Sequence, residues 1–367
     1  MCHSDRPACS RPGFRRVLSS CLLSFALLSA HAAAGQASDT WFAFTEGEAD
    51  EMSIGYRDAE GKVRIAPRFS SYITAKKFDD IIAVMEAENG EWKWKESYYL
   101  TKTGRRVGQG DMYTFDNAFD CENEGFIRFT RNGKTGLFDA NGDIAIPAEY
   151  DSLSRAMNGR VLGLKNAQKH YQGEHYGWKG GEGVLLTTEN KILIEPFDFF
   201  DDSLYFYEVV TSDRPIADPL RKQFRGVDGK FHAFIHLETE FRAWLKTALP
   251  DDFKKADLLR VTHESVAALT EGETENAVSK AQFVDKYYAA IHSKLASLEE
   301  AKYFIMRRRF SPDLPEERYF NNCREVKLWQ YPILSIVIPR ADSGQDTYFE
   351  FMRTEQGYIL IDLQISG

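Results

Sequence analysis

The chain has 367 residues, with 46 Lys and Arg against 55 Asp and Glu, and a formal net charge of −9. Hydrophobic residues at 43% and aromatics at 13% can fill sizeable cores, which excludes a disordered or low-complexity chain, and the length suits two or three domains. The acidic balance argues against non-specific binding to nucleic acid or to an anionic membrane, since both need a positive field.

Arg11, Arg15 and Arg16 precede the apolar run Leu22-Leu23-Ser24-Phe25-Ala26-Leu27-Leu28, which ends in small residues from Ala30 to Ala34. That pattern predicts a secretory signal peptide over residues 1–34, cleaved near Ala34, and hence a periplasmic or secreted protein. Leu18-Ser19-Ser20-Cys21 is similar to a lipoprotein box, but the apolar run lies mostly after Cys21, where lipidation needs it before. Removing residues 1–34 leaves 42 basic and 54 acidic residues, and Cys121 and Cys323 as the remaining cysteines. A single bridge between those two and a pair of separate buried thiols are the two options in an oxidising compartment. No other stretch reaches about 18 apolar residues, so the mature chain is expected to hold no integral membrane span.

A short pattern recurs from Ile54 onward: Gly, an apolar pair, a polar turn, an aliphatic strand, then Pro and an aromatic. The clearest copies run Gly55–Phe69 and Gly136–Asp151, a third runs Gly183–Asp198, and a degenerate one covers Tyr98–Val107. Apolar residues around a tight Gly- or Asn-bearing turn predict a β-hairpin in each, and the Pro is expected to stop the second strand. One hairpin is unstable alone, so the copies are expected to stack as a solenoid, a toroid or propeller-like blades over residues 40–235.

At these residues the sequence resembles the tryptophan-glycine (WG) repeat proteins of bacteria, best at Asn132-Gly133-Lys134-Thr135-Gly136-Leu137-Phe138-Asp139 through Ile146-Pro147 to Tyr150-Asp151. The namesake Trp is missing, with Ile54, Thr135 and Glu182 in its place. The resemblance implies a β-repeat scaffold suited to binding and implies no reaction.

After about residue 235 the apolar period turns helical, and residues 236–367 are expected to form an α+β domain. Phe241–Leu249 predicts a short helix, and Pro250 opens a second that reaches about Leu269. Ser279 with Gln282 caps a longer one carrying Val284, Tyr287/Tyr288, Ile291, Leu295 and Leu298 on one face. Strand-like runs follow at Val326–Ile338, Thr347–Arg353 and Tyr358–Ile365. This order is similar to a nuclear-transport-factor-2-like or cystatin-like fold.

Most candidate chemistry dissolves on inspection. Gly133-Lys134-Thr135 lacks the upstream glycine of a P-loop, and Asp139-Ala140-Asn141-Gly142-Asp143 has its glycine too early for a calcium loop. His232 and His236 are four apart, but Phe231–Leu237 alternates like a strand, and no zinc signature surrounds them. His170 and His175 sit among polar residues with Tyr171 and Tyr176, and Arg307-Arg308-Arg309 reads as a solvated helix end. No cofactor or metal is expected. Trp92, Trp94, Tyr98 and Tyr99 form the most notable aromatic cluster, a candidate surface for stacking on a sugar or a peptide side chain. The sequence therefore favours an exported non-enzymatic interaction protein whose β-repeat surfaces bind a protein, peptide or cell-envelope polymer. The alternative is a cell-envelope hydrolase whose site has no sequence signature.

Overall fold

The structure is a computed structural model that describes residues 39–365 apart from 48–51, 71–74, 89–90, 116–117, 174, 271–272, 297, 299–301, 309–313, 315 and 341–344. The predicted signal peptide lies outside the described residues. Asp39–Gly367 is one compact unit, predominantly β, with several antiparallel sheets and three α-helices among its described residues.

The first sheet runs in the order β4-β1-β2-β3-β5-β6-β7. Its strands are β1 (Trp41–Glu46), β2 (Ser53–Arg57), β3 (Val63–Ser70), β4 (Lys77–Phe78), β5 (Ile81–Glu88), β6 (Glu91–Thr101) and β7 (Arg106–Val107). A two-stranded pair, β8 (Thr114–Phe115) and β9 (Ala118–Phe119), precedes the sheet of β10 (Ile127–Arg131), β11 (Lys134–Phe138) and β12 (Ile144–Tyr150). Next come β13 (Ser152–Leu153), β14 (Arg160–Lys165), β17 (Glu182–Thr187) and β18 (Ile192–Ile194) in one sheet. A separate ribbon of β15 (Gln168–Gln172) and β16 (His175–Lys179) is inserted between β14 and β17. β19 (Leu204–Ser212), β20 (Arg221–Arg225) and β21 (Phe231–His236) complete this half.

The predicted hairpins are β2–β3, β6–β7, β11–β12 and β17–β18. In three of them the register is the same. Tyr56 faces Ile65, Leu137 faces Ile146 and Leu185 faces Ile194; then Arg57 faces Val63, Phe138 faces Ile144 and Leu186 faces Ile192. The shared slip is a β-bulge, an extra residue that increases local twist. The repeated glycine is dictated by close approach: a Cβ on Gly55 would lie 2.6 Å from the Ile65 carbonyl oxygen, and one on Gly136 2.7 Å from that of Ile146. The prolines do not stop every strand. Pro67 lies inside β3 and Pro147 inside β12, because the ladder resumes at Phe69 and Tyr150, and only Pro196 follows a strand that has ended.

The first sheet is covered on both faces along β6. Along β6, Leu100 and Tyr98 pack with Tyr56, Phe69 and Phe78, whereas Tyr99 turns the other way to join Met85, Phe129 and Phe138. Tyr56, Phe69, Phe78 and Phe129 are fully buried, each worth about 1.5–3 kcal/mol of removed apolar surface.

The second half folds as helices on a six-stranded sheet. α1 (Leu237–Ala248), α2 (Lys255–Arg260) and α3 (Lys280–Leu295) are followed or separated by β22 (Thr262–Thr270), β23 (Glu273–Ser279), β24 (Phe304–Arg307), β25 (Ile333–Ile338), β26 (Thr347–Thr354) and β27 (Gly357–Ile365). The strand order is β23-β22-β27-β26-β25-β24, with β22 and β27 parallel. The Ser279 side chain accepts from the Gln282 backbone N–H, as the capping signature predicts, and α3 buries Phe283, Val284, Tyr287, Ile291 and Leu295. Phe241 and Leu245 of α1 meet Phe349, Phe351, Leu360 and Leu363 in the same core.

The second predicted helix is cut short. It ends at Arg260, and Thr262–Thr270 is a strand, because Val266 and Ala268 alternate into the core and β27 offers a free edge. Tertiary pairing here overrides local propensity. Similarly, 326–332 is irregular and the strand begins at Ile333.

Among the ties between the two halves are a disulfide and a buried arginine. Cys121 and Cys323 are bonded at an S–S distance of 2.06 Å, across 202 residues of sequence. Around that bridge Lys77 pairs with Glu317 at 2.6 Å, Arg155 pairs with Glu325 at 2.6 Å, and the Asn322 carbonyl accepts from the backbone N–H groups of Lys76 and Lys77. The arginine, Arg353 of β26, reaches Glu240 of α1 at 2.8 Å and Glu208 of β19 at 2.7 Å, lying 3.9 Å over the Tyr205 ring.

Candidate binding surface

Between β14 and β17 the chain leaves its sheet at Asn166, with φ +58°, and returns through Gly180 and Gly181, with φ +69° and +92°. These left-handed residues turn β15–β16 out as a two-stranded ribbon that pairs with no other sheet. Its base is fixed where the Ala167 N–H donates to Asp151 Oδ2 at 2.9 Å.

Alternation then sorts the ribbon into two faces. Tyr171 pairs with Tyr176 and Lys169 with Trp178, so these four side chains share one face. His170, Gln172, His175 and Lys179 take the other. The aromatic face is a contiguous stack: the Tyr171 and Tyr176 rings are 5.8 Å apart, Tyr176 and Trp178 meet edge to face at 5.7 Å, and Lys169 Nζ lies 4.1 Å over Tyr176. Cross-strand aromatic pairs of this kind contribute about 0.5–1.5 kcal/mol beyond area burial, which helps a ribbon with no third strand. Yet Tyr171 is 62% exposed and Tyr176 46% exposed. The ribbon strands carry Lys169 and Lys179, and Glu182 lies at the ribbon's base, where Asn166 Nδ2 donates to it at 3.3 Å.

Chemically, the face offers π-surfaces for the apolar side of a flat or ring-shaped ligand, with an ammonium between the rings to meet an anionic group. The sequence signal was present as Tyr, Trp and His alternation around Gly173. Without the register, however, His170 and His175 read as loop residues among polar neighbours.

The aromatic cluster expected from sequence is divided by the fold. Trp92 and Trp94 lie on β6, with the Trp92 backbone opposite Ala87; their side chains lie outside the described residues. Tyr99 offers no surface. It is fully buried, its hydroxyl donates to the Arg128 carbonyl at 2.7 Å, and burial pushes the phenol well above its usual range. Tyr98 is also buried, pointing to the opposite face because neighbours on a strand alternate. Its hydroxyl end contributes to a cavity of about 370 Å³ with Glu86, Glu96 and Arg106, and donates to Glu86.

The other sequence candidates have structural tasks. His232 is buried on β21 with Nε2 3.5 Å from Asp228, while the His236 side chain caps α1 by accepting from the Thr239 N–H at 3.3 Å. Asp139 Oδ1 accepts from the N–H groups of Asn141 and Asp143, both at 2.9 Å, closing a turn. Arg307 ends a strand, where a helix end was expected; Arg309 lies outside the described residues. Among the described residues, no group of three or more His, Cys, Asp or Glu could hold a metal ion, and no helix is long and apolar enough to cross a membrane.

No protein-family profile and no curated protein matches the chain. Among the solved structures that are distantly similar are two DUF4783 family proteins. The one from Bacteroides fragilis YCH46 has a TM-score of 0.18 and 13% identity over 30% of this chain and 85% of that one. The one from Bacteroides uniformis ATCC 8492 has a TM-score of 0.17 and 9% identity over 30% and 83%.

Proposed function

We propose that the chain is an exported, non-enzymatic binding protein that holds an acidic cell-envelope glycan on the β15–β16 ribbon of a WG-like β-repeat scaffold. The observation that carries this reading is the ribbon face formed by exposed Tyr171 and Tyr176 and half-buried Trp178, with Lys169 set over it. Sugar rings present apolar faces that stack on aromatics, and lysines on the ribbon complement carboxylates or phosphates on the polymer. The common register of three hairpins supports reading β2–β3, β11–β12 and β17–β18 as copies of one unit. The Cys121–Cys323 bond suits export, since disulfides persist in oxidising compartments. In this reading the nuclear-transport-factor-2-like or cystatin-like second half acts as a buttress to which the repeats are fastened.

Co-sedimentation of mature protein with insoluble polygalacturonate, with neutral dextran beads, and with phosphatidylglycerol vesicles tests it. Binding to polygalacturonate is expected, falling roughly tenfold in Tyr171→Ala/Trp178→Ala and weakening with salt. Binding to vesicles in preference to glycan, or glycan binding unchanged in the double variant, refutes it.

A further inference from the structure

At the edge of the first sheet, β7 is two residues long. The chain turns away at Gly108, with φ +60°, and comes back to β6 where the Gly110 N–H donates to the Ser97 carbonyl at 3.0 Å. A cavity of about 370 Å³ opens there, lined chiefly by Glu86, Glu96, Tyr98, Arg106 and Gln109.

Register sets its charges. Glu96 and Tyr98 alternate onto one face of β6, and Arg106 pairs with Leu100 on that same face. The Tyr98 hydroxyl donates to Glu86 Oε1, and Arg106 Nη2 reaches the same oxygen at 3.1 Å while its guanidinium lies 4.6 Å over the Tyr98 ring. Arg68 Nε approaches that oxygen too, at 3.3 Å. Two guanidiniums thus converge on one carboxylate, and Nε and Nη1 of Arg106 have no hydrogen-bond partner among the described residues. Glu96 is the reverse case. Its Oε2 accepts from Gln109 Nε2 at 3.2 Å, and no cation among the described residues pairs with it. Both groups stay within reach of solvent, with the Arg106 side chain 54% exposed and Glu96 half-buried.

We infer that this cavity is a second binding site, independent of the ribbon, for an amino acid zwitterion, with its carboxylate on Arg106 and its ammonium on Glu96. A cation alone would lie against Arg68 and Arg106, and an anion alone would face Glu96, whereas a zwitterion complements both ends. Arg106 is already held by Glu86 and by the Tyr98 ring, so little ordering remains when a carboxylate takes its other N–H groups. The volume lies toward the lower end of the range of small-molecule pockets, which suits one amino acid over a longer peptide.

Calorimetric titration of mature protein with leucine, isocaproate and isoamylamine tests the assignment; isocaproate lacks leucine's ammonium and isoamylamine its carboxylate. Leucine is expected to bind at least tenfold more tightly than either, since a charge-assisted bond is worth that ratio. Glu96→Gln is expected to erase the preference for leucine over isocaproate, and Arg106→Gln the preference over isoamylamine, while Tyr171→Ala/Trp178→Ala leaves both intact. No binding of leucine, an isostere that binds as well as leucine, a preference that survives in its variant, or loss of leucine binding in the ribbon variant each overturns the inference. The isostere comparison is made on the unaltered protein, so it decides even where a variant fails to fold.

Discussion

Replacing Cys121 and Cys323 together by Ala removes the covalent tie between the halves. In the chain-entropy description a bridge restricts the unfolded ensemble by an amount that grows with the logarithm of the loop it closes. For a separation of 202 residues the restriction amounts to about 5 kcal/mol at 25 °C. Unfolding a unit of about 330 residues releases roughly 0.7 kcal/mol per kelvin, so the double variant should melt about 7 °C lower. The native contacts beside the bridge, Lys77–Glu317 and Arg155–Glu325, stay in place in the folded variant, so the loss should come chiefly from the unfolded state. Differential scanning calorimetry of oxidised wild type, reduced wild type and the double variant measures it, with a thiol assay in denaturant to count free sulfhydryls. The reduced protein and the variant should coincide, both below the oxidised protein, which should show no free thiol from this pair. A variant that melts within about 1 °C of oxidised wild type, or two free thiols in the untreated protein, would refute the reasoning.

Three further outcomes are expected. Glu122 is pushed up to about 7, first by burial and then by Asp79 and Asp80, against the pull of the Gly125 N–H and Lys102. A raised folded-state value means stability is greatest below the unfolded value near 4.5 and is lost as pH rises through 7, by about 3 kcal/mol in full. Glu122→Gln should therefore stabilise at pH 8 and not at pH 4.5; equal melting shifts at both would sink the idea. Arg353→Met should cost about 3–5 kcal/mol in urea unfolding, because Glu240 and Glu208 lose the cation between them, and Glu240→Gln in that background should restore part of it. Gly136→Ala should lose about 1–3 kcal/mol by the same measure, since its Cβ would press on the Ile146 carbonyl and the Phe129 ring; a neutral result would show that the hairpin can open without cost.

The legible parts of this protein were those written in neighbouring residues. Turn glycines announced the hairpins, Ser279 announced the start of α3, and the apolar spacing from Phe283 to Leu295 announced its buried face. Each depends on φ, on a single hydrogen bond or on side-chain period, all set within a few residues. The aromatic cluster misled because burial is a property of both sides of a sheet. Tyr98 and Tyr99 look alike in sequence, and the packing of Phe69 on one face and Phe129 on the other is what removes them from solvent.

Sequence by itself determined the individual β-hairpins, the change to helices after about residue 235, and the acidic charge. Tertiary structure alone decided that Thr262–Thr270 is a strand, because an edge of β27 was there to pair with it. It alone joined Cys121 to Cys323, turned Tyr171, Tyr176 and Trp178 to one face of the ribbon, and set Glu350 beside Asp362. For the three strand cases the reason is the same: pairing partner and register are fixed by the fold, and a one-residue slip would send each side chain to the opposite face, whereas the cysteines meet because tertiary packing brings two loops together.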